Sequence, residues 1–291
     1  MKRFLLVCCV VAQLFFVGCF DSKDEVTLYP NVADVRIKSV SSTTTYEYSG
    51  GYDQEEVIDI SFSYDLDGNV SAIESRFYVG YVDAPLVDQE TFVATINFVL
   101  SYDEVGVVYV ESELYEEGAS ENFILDEMWT LSDGRIVGGK AINNFTDISK
   151  ELTYSYDGSN IQSVVEKVIN GDVEKDSFTY SYKWISGNLN SYSEPTSTTS
   201  YSYNSSLSNN ANLDINALLS LLISGYDYYD YKMLPGLLKM MGGCSKNVVS
   251  SIDDGKDLCA VSWSTSSDGL IVGADVAIDS STTMTCSISY E

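Results

Sequence analysis

The chain has 291 residues, 45% of them hydrophobic, with 43 acids against 16 bases, no histidine and a formal charge of −27. That charge excludes nucleic acid and anionic lipid headgroups as electrostatic partners. The lack of histidine excludes Ser-His-Asp and Cys-His nucleophile systems and every His-ligated zinc or iron centre, so the sequence reads as a binding protein without metal or cofactor rather than an enzyme.

The N-terminus runs from Met1-Lys2-Arg3 through an apolar stretch, Phe4 to Val17, to Gly18-Cys19, which is the form of an export signal. The stretch is too short to cross a bilayer as a helix, and the polar run Asp21-Ser22-Lys23-Asp24-Glu25 follows at once. Gly18-Cys19 resembles a lipobox, in which the thiol is diacylated before cleavage, although Phe16 stands where Leu is usual. The resemblance implies a signal peptide over 1–18, lipidation of Cys19 and a polar tether over 19–34 holding the protein on the outer membrane. Lys23, Asp24 and Glu25 resemble the tag that exports Bacteroidota lipoproteins to the cell surface; the periplasmic leaflet is the alternative. Loss of Lys2 and Arg3 leaves 14 bases against 43 acids, a charge of −29.

Of six cysteines, Cys8 and Cys9 leave with the signal and Cys19 takes the lipid, so the odd set Cys244, Cys259 and Cys286 remains. On the first and third strands of a meander, Cys259 and Cys286 would stand about 9.6 Å apart, beyond the ~7 Å limit for a disulfide. Free, buried thiols are expected.

No long Pro- or Ser-rich linker divides residues 35–291, which read as a single β-rich domain with a helical insert at about 212–243. Period-two alternation marks strands: Ile58, Ile60, Phe62 and Tyr64 against Asp59, Ser61 and Ser63. The same pattern recurs at Phe178, Tyr180, Tyr182 and Trp184, and at Leu270, Val272, Ala274, Val276 and Ile278. One covered and one wet face mean antiparallel sheet. Turn residues punctuate the strands at Asp65-Leu66-Asp67-Gly68-Asn69, Ser132-Asp133-Gly134, Asp157-Gly158, Gly187-Asn188 and Ser267-Asp268-Gly269. The recurring phrase, Phe62-Ser63-Tyr64-Asp65 and Tyr154-Ser155-Tyr156-Asp157-Gly158, resembles a degenerate form of the YD repeats of large bacterial surface and toxin-shell proteins.

In the insert, Asn212 is placed to cap a first helix carrying Leu213, Ala217, Leu218, Leu221 and Leu222 on one flank, widened by Ile215 and Leu219. A second helix begins at Leu234, with Pro235 in its first turn, aligns Leu237, Leu238 and Met241, and stops at Gly242-Gly243. Between them Tyr226-Asp227-Tyr228-Tyr229-Asp230-Tyr231 offers four phenols, suited to a sugar, an aromatic ligand or a protein partner, or simply to covering the helix pair. The order from Asn212-Leu213-Asp214 to Ser245-Lys246-Asn247 and a closing three-strand meander is similar to a Bacteroidota lipoprotein family with a domain of unknown function, some of whose members are described as lipid-binding. Val248-Val249 departs from the Leu-Pro of that pattern. The resemblance brings no catalytic residue. Asp65-x-Asp67-Gly68-Asn69 reads as a hairpin turn rather than a calcium loop, because its Gly falls too early and no bidentate Glu follows.

The expected architecture is a large curved antiparallel meander, half-open like a split barrel, with two short apolar helices packed on its concave face. Two functions fit it. In the first, a groove between sheet and helices, lined by Leu218, Leu222, Tyr226, Tyr228, Tyr229 and Tyr231, holds a hydrophobic small molecule. In the second, Tyr-rich strands and loops bind a glycan or a protein partner. A tightly packed interior favours the second, and a continuous apolar cavity the first.

Overall fold

A computed structural model describes residues 35–47, 53–81, 90–103, 106–116, 123–143, 148–224 and 233–291. Its strands are β1 (Ile37–Tyr46), β2 (Gln54–Tyr64), β3 (Val70–Tyr81), β4 (Glu90–Tyr102), β5 (Val107–Glu116), β6 (Phe123–Ser132), β7 (Arg135–Asn143) and β8 (Ile148–Asp157). They continue with β9 (Asn160–Asn170), β10 (Val173–Ile185), β11 (Asn188–Ser193), β12 (Thr198–Ser208), β13 (Asn247–Asp253), β14 (Leu258–Thr265), β15 (Ile271–Ala277) and β16 (Thr282–Tyr290). Helices α1 (Ile215–Ser224) and α2 (Met233–Leu237) interrupt the series between β12 and β13.

Each strand pairs antiparallel with its sequence neighbours, and β1 also pairs with β16, so the sheet is a closed barrel. This corrects the expected half-open meander. The first and last strands zip together from Ser39↔Ser289 to Tyr46↔Thr282, which removes the two edges of unpaired N–H and C=O that an open sheet would present. Alternation along a strand is the same in an open and a closed sheet, so the sequence pattern carries no sign of closure.

The alternation itself holds. In β2, Ile58, Ile60 and Phe62 point inward and are buried, while Asp59, Ser61 and Ser63 face out and are exposed. In β15 the pattern shifts at the start, where Ile271 rather than Leu270 is buried, because pairing with β14 slips beside Thr265. A round barrel of sixteen strands tilted 35–45° would be roughly 30 Å wide, whereas facing side chains fill only about 10 Å between sheets. Yet Ile60, Ile96, Val110, Trp129, Val164 and Met284, from β2, β4, β5, β6, β9 and β16, are each at most 1% exposed, whereas the inward residues of β11 and β12 are half-buried. Side chains of the strands, together with the apolar residues of the helical insert, form one core cluster in that interior.

One device repeats around the barrel. Most even-numbered strands carry, toward their end or, in β12, in mid-strand, an inward aromatic whose polar tip donates to a carbonyl near the start of the preceding strand. Tyr64 bonds Ile37, Tyr102 bonds Val70, Tyr156 bonds Ile136, Tyr203 bonds Leu189 and Tyr290 bonds Ile271. The indoles of Trp184 and Trp263 do the same to Ile161 and Val249, all at 2.5–2.8 Å. Beside Tyr64, Tyr156, Trp184 and Tyr203 the pairing slips by one residue, a bulge that re-aims the ring. In β6 Leu131 ends the series at this place, without a polar tip. Burial of the staple rings pushes the Tyr156 and Tyr290 phenols up to about 12, so both donate as neutral groups. The following turns are tight: Asp65 accepts the N–H groups of Asp67 and Asn69 at 2.9 and 2.8 Å, with Gly68 at φ +86°. The hairpin-turn reading of that segment thus has its carboxylate occupied by backbone.

The helical insert is one of these same end connections, enlarged. Backbone hydrogen bonds tie it to the stapled end of the barrel. Ile136 N–H bonds Met240 O, Gly243 N–H bonds Ser159 O and Lys246 N–H bonds Gly187 O, tying the insert to three other hairpins. Gly242, at φ +90°, admits no side chain, because a Cβ there would lie 2.3 Å from the Ser159 carbonyl. Leu213, Ile215, Leu218, Leu219, Leu222, Leu234 and Leu237 are buried in one apolar cluster with the inward residues of the strands.

Candidate functional site

Of the residues singled out in the sequence, Cys19, Lys23, Asp24, Glu25, Tyr226, Tyr228, Tyr229 and Tyr231 lie outside the described residues. Leu218 and Leu222 are 1% and 2% exposed, packed within the core. Cys244, Cys259 and Cys286 are in no disulfide, as expected, but only Cys259 is buried outright; the other two are half-buried.

Two clusters of polar side chains line the interior, each with members partly open to solvent, the Lys150 side chain 37% exposed among them. The first is the seam between insert and barrel. Asp214, not Asn212, caps α1: its Oδ1 accepts the N–H groups of Asn216 (2.9 Å) and Ala217 (3.3 Å) and the Asn209 amide (2.8 Å). Burial pushes the Asp214 carboxyl upward, and the nearby Lys239 ammonium and these hydrogen bonds offset it in part. Asn212 instead links the insert to the closure of the barrel, accepting from Ile37 N–H at 2.9 Å and donating to Tyr64 Oη at 2.9 Å. Asn216 pairs with β13 as a strand would, donating to Asn247 O and accepting from Val249 N–H. Asn247 donates to Ser205 O and Leu207 O, which the irregular pairing of β12 with β13 between Asn204 and Ser208 leaves without ladder partners. The two segments most specific to the lipoprotein resemblance, Asn212-Leu213-Asp214 and Ser245-Lys246-Asn247, are thus the two sides of one seam, joined again by Asn209 Nδ2 to Ser245 O at 3.1 Å.

The second region is on the inward face of β6–β10. One ladder carries Glu127, Ala141, Lys150 and Val168 side by side, and the next carries Trp129, Gly139, Leu152, Glu166 and Phe178. Glu127 and Glu166 are 5% and 3% exposed. Lys150 stands across Ala141 from Glu127 and reaches Glu166 at 3.2 Å; Tyr180 Oη donates to Glu166 at 2.9 Å, and Trp129 Nε1 to Glu127 at 2.9 Å. Gly139 leaves room for the Trp129 ring and the Leu152 methyl, which a Cβ would meet at 3.5 and 3.4 Å. Beside this patch the rings of Tyr180 and Tyr192 stack with centroids 6.2 Å apart, and Tyr182 tilts against Tyr192 at 5.1 Å. One ammonium between two carboxylates, against an aromatic wall, is chemistry suited to a ligand rich in hydrogen-bond donors. No sequence signal picked out Glu127, Lys150 or Glu166: each occupies an inward position of a strand, and only the alternation around it reveals a charge where apolar residues belong.

The outer wall is the reverse of the interior. Outward, exposed positions in mid-strand include Asp59, Ser61, Glu111, Glu113, Glu151, Thr153, Lys167, Ser262, Asp275, Thr285 and Ser287. No family model matches the chain, and no curated protein matches it. Solved structures do match: a crystal structure of a porin-like protein from Bacteroides uniformis aligns with a TM-score of 0.56 at 14% identity, over 88% of this chain and 96% of that one. At this identity the likeness establishes a shared barrel fold, in a protein of the Bacteroidota, the phylum of the sequence resemblance.

Proposed function

We propose that the protein is a water-exposed barrel tethered to the outer membrane, on the cell surface, through lipid on Cys19, and that it acts as a binding module rather than as a conducting pore. The porin-like fold of its neighbour supports an outer-membrane setting. The observation that carries the reading is the orientation of the strands' two faces. A membrane-spanning barrel turns an apolar band about 25 Å tall toward lipid and keeps polar residues inside. Here Asp59, Glu111, Glu151, Lys167 and Asp275 face outward in mid-strand, and most buried residues of the interior are apolar, the Glu127 and Glu166 patch apart. A single lipid-facing Lys costs about 2–4 kcal/mol at the bilayer midplane, and acids somewhat less, so this wall belongs in water. The packed surroundings of Leu218 and Leu222 favour recognition of a glycan or protein partner by the outer wall over storage of a hydrophobic molecule in a groove.

Full-length protein with Cys19→Ser tests this. A tethered barrel leaves the membrane fraction on carbonate extraction and gives no conductance in planar bilayers. A variant that stays in the membrane and conducts in steps would overturn the reading.

A further inference from the structure

The outer wall is not uniform. Across β14, β15, β16 and β1 its outward positions are small or polar: Ser262, Asp275, Thr285, Ser287 and Ser41 among them. Across β4 to β7 two adjacent ladders differ. Val99, Glu111, Asp126 and Ile142 form one; Ser101, Tyr109, Met128 and Lys140 form the next. Val99, Tyr109, Met128 and Ile142 are 53%, 45%, 37% and 40% exposed, and Val137 beside them is 38% exposed. Most other large apolar side chains so exposed among the described residues lie in turns or near strand ends, as Leu66, Val173, Ile185 and Leu258 do. A barrel that faces water has no need of this patch.

From this wall we infer a docking surface for a lysine- or arginine-bearing amphipathic segment of a partner protein; the inference rests on the water-exposed barrel proposed above. Three arguments fix the occupant. The sheet is closed, so no edge is open to an added strand, and recognition has to occur face-on through side chains. Four strands span about 14 Å, wide enough for one helix of about 10–12 Å, and the two same-face ladders lie about 7 Å apart, so the patch covers roughly 100 Å², far short of the ~800 Å² per partner of a stable protein–protein interface, which argues against a second copy. Glu111 and Asp126 lie within the apolar ladder and Glu113 flanks it, against one Lys140, on a chain of charge −27, so a second copy is repelled and a cationic segment attracted. The Tyr109 ring adds a face for a guanidinium or ammonium.

The test uses the full-length chain and a fluorescent amphipathic Leu/Lys helical peptide, with a Leu/Glu peptide of the same pattern as control, followed by anisotropy. Wild type binds the Leu/Lys peptide and not the Leu/Glu one. Tyr109→Ser with Met128→Ser, and separately Glu111→Gln with Asp126→Asn, each weaken binding about tenfold or more, while Asp59→Asn with Asp275→Asn, on β2 and β15 outside the patch, leaves it unchanged. Equal binding by all three pairs overturns the surface, since bulk charge then suffices, and no binding by wild type overturns it as well. A detergent-free monomer peak of the Cys19→Ser protein is recorded in parallel: its loss counts against the water-exposed barrel itself, whereas weakened binding is read only where that peak and the thermal melt are intact.

Discussion

The insert seam and the lumenal patch both bury polar side chains, and they differ in what those side chains touch. In the seam, Asn212, Asp214, Asn216 and Asn247 bond mainly to backbone: helix-start N–H groups, the Ile37 amide, and carbonyls exposed by the slipped pairing of β12. Each completes a group that the enlarged connection would otherwise leave unsatisfied. In the patch, Glu127, Lys150 and Glu166 sit on regularly paired strands and meet side chains, so no backbone defect calls for them. The difference teaches that the seam serves architecture, while the patch places charge where the fold alone would place leucine.

The comparison breaks most readily at the insert's apolar contacts. Leu218→Asp puts a carboxylate into a core position 1% exposed, at a cost of several kcal/mol against a whole margin of ~5–15, so the variant should fail to fold; a native-like melt would show that the insert is not part of the barrel's core. Next in size is Asn247→Ala, which strips two carbonyls of their donor and should lower stability by about 2–4 kcal/mol, read by denaturant titration.

Asp214 sharpens the contrast through pH. Its carboxyl is raised in the native state, so the folded protein holds the proton more tightly than the unfolded chain, and native stability falls as pH rises from the unfolded value near 3.9 through the native one. Asp214→Asn keeps an acceptor for the cap and does not titrate. Relative to wild type, it should therefore gain as pH rises through that window; parallel melts would contradict the assignment. For the patch, Lys150→Met with Glu166→Gln should change stability by less than about 1 kcal/mol or raise it, because the cost of burying the Glu166 carboxylate is removed along with its partly exposed partner. A loss of several kcal/mol would make the patch architectural too. Smallest is a single staple: Tyr156→Phe should cost about 1 kcal/mol.

The sequence shows the strands, the tight turns, both helices and the unbridged cysteines, because each is a local signal: period two, Asp and Gly after an aromatic, a leucine stripe, an odd thiol. It conceals closure, since β1 and β16 meet through hydrogen bonds whose partners lie some 250 residues apart. The phrase that carries the staple is legible at Tyr64 and Tyr156 but not at Tyr102, where Leu100 replaces the first aromatic, nor at Trp184, Tyr203, Trp263 and Tyr290, where another residue follows in place of Asp. Asn212 was assigned the cap of α1 because Asn and Asp are both good caps two residues apart; the seam decides between them by needing Asn212 at the barrel closure. The charges of the lumenal patch were invisible for the same reason as closure, being brought together only by register.

The outer wall decides whether the barrel stands in water or in lipid. Single nitroxide labels at positions 59, 111, 151 and 275 of the full-length protein in native outer membranes test this most directly, by collision with an aqueous nickel reagent and with oxygen dissolved in lipid. Strong nickel and weak oxygen accessibility at all four sites is the expected result. Oxygen accessibility exceeding nickel accessibility at these mid-strand sites, in a band about 25 Å tall, would contradict it and make the barrel a membrane-spanning one.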